Sequence, residues 1–253
     1  MESVQIIKRD GVGVLLLNSP QKRNALKSED MLLIRDILNR EAKSDIYALI
    51  ISGLGDVFCS GADFSELISI IGKNKKDHEL QSNDMSKFCD SIQSFPLPTV
   101  CALNGSAYGG GVEIACACDF RISVSNIEIL IPPAKIGIHY HPAGIRRFLN
   151  IFGSTVTKKL LLTAVKMSEE ELKDIGFFDQ IINDGENVIE KAHSFIKPCK
   201  GLSSESVSGM KLTINDIIMD CVDTKNLDLR IEKALKSQYL ERQLKLIKEK
   251  NPQ

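Results

Sequence analysis

Two apolar runs, "IYALIIS" and "PTVCALNG", constrain most strongly what this chain can fold into. Successive side chains in each are apolar, so both faces of the strand need cover, and each run ends at a glycine turn followed by a helical pattern. The order from "VQIIKRDGVGVLLLN" through the helix "EDMLLIRDILNREAKS" to "IYALIIS" predicts crossover units around a buried sheet. Asp10-Gly11 predicts a hairpin between the first two strands, and Ser28 a cap for the helix whose apolar face holds Met31, Ile34 and Leu38. "DFRISVS" repeats the strand pattern, so the first 150 residues or so read as α/β.

Further on the chain changes character. Ser168 with Glu171 three residues later has capping-box spacing, with Gly176 as a stop. "ENVIEKAHSFIK", "SSESVSGMKLTINDIIMD" and the strongly amphipathic "LDLRIEKALKSQYLERQLKLIKEK" are helical by spacing. The division expected is a core over residues 1–190 and a helical C-terminal region over 191–253, whose apolar faces predict packing against neighbouring subunits.

Composition excludes several function classes. Thirty-two basic against 33 acidic residues leave a formal charge of −1, which gives no bulk attraction to nucleic acid or to a membrane. "MESVQIIKRDG" has no apolar leader core, and no run approaches the roughly 18 apolar residues of a membrane span, so the expected compartment is the cytosol. The cysteine count, seven, is odd; Cys116 and Cys118 are one residue apart, and no second Cys or His pair follows at zinc spacing. Reduced, mostly buried thiols and no metal are expected. His139 and His141 likewise have no third ligand nearby.

Two stretches carry the chemistry. In "GLGDVFCSGADFSEL" a strand ending at Ser52 is followed by a glycine-rich turn and a helix with Asp63 in its first turn. "NGSAYGGGVEIACACDF" repeats that order, with three consecutive glycines, Gly109, Gly110 and Gly111, ahead of Glu113. Helix N-termini leave backbone N–H groups unpaired, so two of them can aim donors, near Ala62 and near Gly110, at one developing oxyanion. Neither stretch is a phosphate loop: "GGGVE" lacks Lys-Ser/Thr, and "GSAYGG" is not G-x-G-x-x-G.

Together with "PQKRNAL" upstream, "DVFCSGADFSEL" and "NGSAYGGGVEIACACDFRI" resemble the signature segments of the crotonase family, the enoyl-CoA hydratase/isomerase superfamily. The resemblance runs from the first strand to about Gly176 and more weakly to the C-terminus. It implies a ββα spiral core with a helical C-terminal region. It also implies an acyl-CoA substrate, a homotrimer or dimer of trimers, and no cofactor apart from coenzyme A as part of the substrate. Residue by residue, it implies that Ala62 and Gly110 donate backbone N–H groups to the thioester oxygen, and that Glu113 is a catalytic carboxylate. It further implies that Arg23, Ala25, Asp63 and Phe64 border the CoA pocket. The stretch "LISIIGKNKKDHELQSNDMSKF" is expected to shape the acyl pocket.

The family's hydratases carry a second glutamate in a segment resembling "PEIKLG"; here the segment reads "PPAKIG" and the position is Pro133, which cannot exchange a proton. Just beyond it, "GIHYHPAGIRR" places His139, Tyr140 and His141, and some decarboxylases of the family are similar in having a tyrosine there. Three readings follow: hydratase/isomerase chemistry at Glu113, decarboxylation of a malonyl-type thioester with Tyr140 contributing, or acyl-CoA binding without turnover.

Overall fold

The computed structural model describes residues 2–66 and 75–250. Asp10 and Gly11, both in the left-handed region, turn β1 (Val4–Arg9) back on β2 (Val12–Leu17) as the antiparallel hairpin expected. The chain then repeats one unit three times: a strand in a large sheet, a strand in a small sheet, and a helix. The first two strand pairs are β3 (Ala48–Gly53) with β4 (Val57–Cys59) and β5 (Thr99–Leu103) with β6 (Ser106–Tyr108). The third is β7 (Phe120–Ser123) with β8 (Glu128–Leu130). With β9 (Met167–Ser168) and β10 (Gln180–Ile181), the large sheet runs β1-β2-β3-β5-β7-β10 and the small one β4-β6-β8-β9. Parallel pairing from β2 to β10 in the large sheet, and from β4 to β8 in the small one, is what crossover connections produce.

The large sheet is covered on both sides, as its apolar runs require. Leu15, Leu17, Leu49, Ile51, Cys101 and Leu103 face α1 (Ser28–Glu41), α2 (Lys75–Gln93) and α3 (Gly110–Ala117). The alternate residues Val14, Leu16, Ile50, Val100 and Ala102 pack against Val188, Ala192 and Ile196. These last three lie on α6 (Val188–Ile196), which follows α4 (Pro142–Thr163) and α5 (Glu169–Asp174). The boundary expected at residue 190 falls inside α6. Beyond it come α7 (Ser204–Ile218), α8 (Thr224–Leu235) and α9 (Gln238–Lys250). On α7 only Lys211 is buried, its Nζ bonded to the Leu97 carbonyl at 2.9 Å and to Asp119 at 2.7 Å, which pins the helix to the core.

Four local expectations are corrected. The turns "GLGDVFCSG" and "NGSAYGGG" are not bare turns; each contains a three-residue strand, β4 and β6, too short to show a period of two. Ser28 does not cap α1. Lys27 holds the cap position, the Asp30 carboxylate accepts from its N–H at 2.9 Å, and Ser28 instead donates to Glu66. Asp63 precedes its helix rather than sitting in the first turn; Oδ1 accepts from the Ser65 N–H at 2.8 Å, as a cap does. The final amphipathic stretch is two helices, broken between Leu235 and Gln238. Ser168 and Glu171 do form the capping box expected.

Of the stretch 67–88 expected to shape the acyl pocket, residues 67–74 lie outside the described residues. Among the described residues no helix is long and apolar enough to cross a membrane, and no three His, Cys, Asp or Glu side chains cluster as metal ligands. Cys59, Cys89, Cys101, Cys116 and Cys118 are free and buried, Cys199 is half-buried, and Cys221 is exposed.

Candidate active site

Because β4 and β6 are parallel neighbours in the small sheet, the turns leaving their C-terminal ends lie side by side. Contact between them is close: a Cβ on Gly61 would sit 2.6 Å from the Gly110 nitrogen and 3.2 Å from its Cα. Gly61 also has φ +88°, so glycine is required there twice over. Gly111 packs as tightly, its missing Cβ falling 2.1 Å from the Cys59 carbonyl oxygen.

The backbone donors of these turns can be accounted for one at a time. In the first, Ser60 N–H goes to the Arg23 carbonyl at 3.0 Å and Asp63 N–H to the Leu26 carbonyl at 2.8 Å. Gly61 N–H is taken by the Cys59 sulfur at 3.3 Å. Ala62 N–H has no acceptor among the described residues. In the second turn Gly109 N–H goes to the Leu130 carbonyl at 2.8 Å, and the Val112 and Glu113 N–H groups return to the Gly109 carbonyl. Gly110 N–H, at the first position of α3, has none among the described residues. Ala62 and Gly110 line one cleft, together with Phe64, Met85, Ser86, Glu113, Pro133, His139, Tyr140 and His141.

The third repeat supplies the opposite wall. After β8 the chain passes Pro133, now at the start of a short 3-10 turn (Pro133–Ile136), and reaches α4, where His141 is the cap. His141 Nδ1 accepts from the Ala143 N–H at 3.3 Å, and His139 Nδ1 donates to the Tyr140 carbonyl at 2.7 Å. These bonds assign the histidines opposite tautomers when neutral.

Glu113 is 1% exposed, and its Oε1 accepts from Arg147 Nη1 at 2.6 Å, with Arg147 also 1% exposed. Arg147 Nε donates to Gln93 Oε1 at 3.0 Å, and Nη2 reaches Asp90 and the Ser86 carbonyl. Burial pushes the Glu113 carboxyl above its ordinary range, and Arg147 and then the Tyr140 hydroxyl pull it back. Burial, and then the Glu113 charge, push the Tyr140 hydroxyl well up, so Tyr140 stays protonated and able to donate. Burial also pushes the Cys59 thiol up to about 12, which keeps that sulfur neutral beside the first turn.

The structure therefore brings together Ala62, Gly110, Glu113, Tyr140 and Phe64, whose ring is 53% exposed. Arg23, Ala25 and Asp63 do not line the cleft. They belong to the adjoining loop and cap, where buried Asn24 bonds three carbonyls of residues 54–58 and Asp63 lies 3.5 Å from Lys22. Arg147, Asp90 and Gln93 had no role in the sequence reading. Only Arg147 left a signal: it falls on the buried face of α4, in phase with Gly144 and Phe148.

A family profile described as enoyl-CoA hydratase/isomerase matches residues 8–243. The chain is 30% identical over 237 residues to an ethylmalonyl-CoA decarboxylase of Xenopus laevis, covering 92% of this chain and 77% of that one. It is also 30% identical over 189 residues to a crotonyl-CoA hydratase of Syntrophomonas wolfei, covering 73% and 71%. Among solved structures, an enoyl-CoA hydratase from Bacillus anthracis superposes with a TM-score of 0.86 at 23% identity, covering 99% of this chain and 97% of that one. At that identity the superposition speaks to fold alone.

Proposed function

The chain belongs to the enoyl-CoA hydratase/isomerase family, and from that premise we propose that it turns over an acyl-CoA through a thioester enolate. The thioester oxygen sits between the N–H groups of Ala62 and Gly110. What carries this reading is the donor inventory: each turn has a donor without an acceptor, among the described residues, and the two residues line one cleft. An α-proton becomes removable when the charge appearing on oxygen is met by fixed donors, each worth about 3 to 4 kcal/mol of the barrier.

Glu113, ion-paired with Arg147, takes that proton. A base that returns the proton to another carbon of the same substrate shifts a double bond unaided; adding water calls for a second group to hold it. With Pro133 in that place, neither the family's hydratases nor its isomerases that use a single carboxylate there are matched, and a double-bond shift by Glu113 alone is the reaction that the remaining residues support best. No metal or redox cofactor takes part, and coenzyme A enters as part of the substrate, bordered by Arg23, Ala25, Asp63 and Phe64. We place the enzyme in the cytosol as a homotrimer or dimer of trimers; the exposed Met210, Ile214 and Ile217 on α7 and Leu229 on α8 support burial against another subunit.

A second reading is supported by the ethylmalonyl-CoA decarboxylase relative and by Tyr140 in the cleft. A malonyl-type thioester would lose CO2, the electrons of the broken C–C bond would pass to the enolate on the same two amides, and Tyr140 would protonate the α-carbon. Incubation with crotonyl-CoA, a 3-enoyl-CoA and methylmalonyl-CoA, with products identified by mass, separates the readings. Conversion of the 3-enoyl ester supports the first and loss of CO2 the second. If none is consumed while CoA esters bind, both fail.

A further inference from the structure

We propose that Arg147 is a positioning residue that fixes the charge and the facing of Glu113, so that a single carboxylate oxygen is offered to the substrate. The inference rests on the reading of Glu113 as the base and adds a residue to it. A buried carboxylate is stable as an anion only with a partner. Arg147 is that partner, and it is itself held at three points, by Gln93 through Nε and by Asp90 and the Ser86 carbonyl through Nη2. All of these anchors lie on α2, so the guanidinium is a planar brace between α2, α4 and the carboxylate of α3. With Oε1 bound by Arg147, Oε2 faces the Tyr140 side of the site, where the tyrosine hydroxyl also bonds the carboxylate; Oε2 lies 2.9 Å from where a Cβ on Gly144 would be, with the Tyr140 ring edge at 2.5 Å from the same point. Any larger residue at 144 would fill the space that this oxygen and Tyr140 share.

Among the described residues, the charged and titratable groups around Glu113 are few. From α2 come Asp90 and Cys89, from α4 Arg147, from the segment before it Tyr140, and from α3 itself Cys116. His139 and His141 line the same cleft, and among these described groups Arg147 is the one guanidinium or ammonium cation. Its removal leaves burial and Asp90 acting on Glu113 in the same direction, upward.

The test follows deuterium exchange of the α-protons of butyryl-CoA in D2O by NMR, which reads proton abstraction whatever the net reaction. For Arg147→Gln the exchange rate is expected to fall about 100-fold, the effect of a misplaced catalytic group. The acidic limb of its pH profile is expected to rise by about one unit or more, as loss of an adjacent opposite charge implies. The Kd for butyryl-CoA should stay within about threefold, because Arg147 acts through Glu113 and not on the ester. Arg147→Lys keeps the charge without the fork, so its limb should stay in place while its rate falls about tenfold. An unmoved limb in Arg147→Gln, or binding lost in parallel with exchange, overturns the proposal. Should Arg147→Gln not fold, Arg147→Lys decides, and exchange equal to the unmodified enzyme overturns it. If the unmodified enzyme exchanges nothing, or Glu113→Gln exchanges as fast as it does, the failure lies with the assignment of Glu113 as base.

Discussion

The two walls of the cleft are built on different principles. One is main chain: Ala62 and Gly110 sit at the ends of neighbouring strands, and their N–H positions follow from strand pairing and two tight glycine contacts. The other is side chain: Glu113, Arg147 and Tyr140 come from three segments and hold one another by charge and hydrogen bonds in a buried setting. The first wall tolerates changes in side-chain chemistry but no added atom. The second tolerates small shifts but no uncompensated charge. On the proposed reading, the grip on the oxyanion is set by the fold, and the reaction is set by the residues facing it.

The sharpest break of that contrast is Glu113→Gln, which keeps shape and removes the proposed base. Turnover is expected to fall about 1000-fold, with KM nearly unchanged, in steady-state assays on the accepted thioester. Gly61→Ala attacks the other wall, since its methyl would sit 2.6 Å from the Gly110 nitrogen. A loss of about 100-fold in kcat is expected, together with a lowered midpoint of thermal unfolding by circular dichroism, because φ +88° strains any residue with a Cβ. The pH profile sharpens the comparison further. Burial, the leading influence, raises Glu113 above its ordinary 4.5, so kcat should fall as pH drops through a value higher than that, and Glu113→Gln should erase the limb. The same shift acts on stability: between 4.5 and the raised value the native state holds the extra proton, so this residue's contribution weakens as pH rises through that window. Urea titrations across the window, with Glu113→Gln as reference, read it directly. Least effect on turnover is expected from Lys211→Met, at a residue that does not line the cleft. It should leave kcat as it is and cost about 1 to 3 kcal/mol of unfolding free energy through the lost bonds to Leu97 and Asp119.

The main-chain wall was legible in the sequence because glycine spacing and strand-to-helix order are local. "CSGAD" and "YGGGVE" name their own turns, and the apolar runs declare a sheet covered on both faces. The small sheet was not legible, since β4 and β6 are three residues each and owe their pairing to each other. Nor was the ionic partner of Glu113: Arg147 lies 34 residues away, and the second of two arginines in "GIRRF" reads as surface charge until its phase with Gly144 and Phe148 is noticed. Asp90 and Gln93 gave no sign at all, because what recruits them is the end of α2 lying against α4. The cap of α1 went wrong for a similar reason: Ser28 is engaged by Glu66 from the neighbouring turn, and a tertiary bond displaced the local one.

The contact between Gly61 and Gly110 has one more consequence. With no side chain at either position, the separation of the two donors is a gauge set by bare peptide thickness, as constant as the rung spacing of a ladder. If those donors hold a thioester as proposed, substitutions around the rim can redirect what happens to the captured acyl group while the grip itself stays calibrated, so altered reactivity in this chain need not begin by rebuilding that hold.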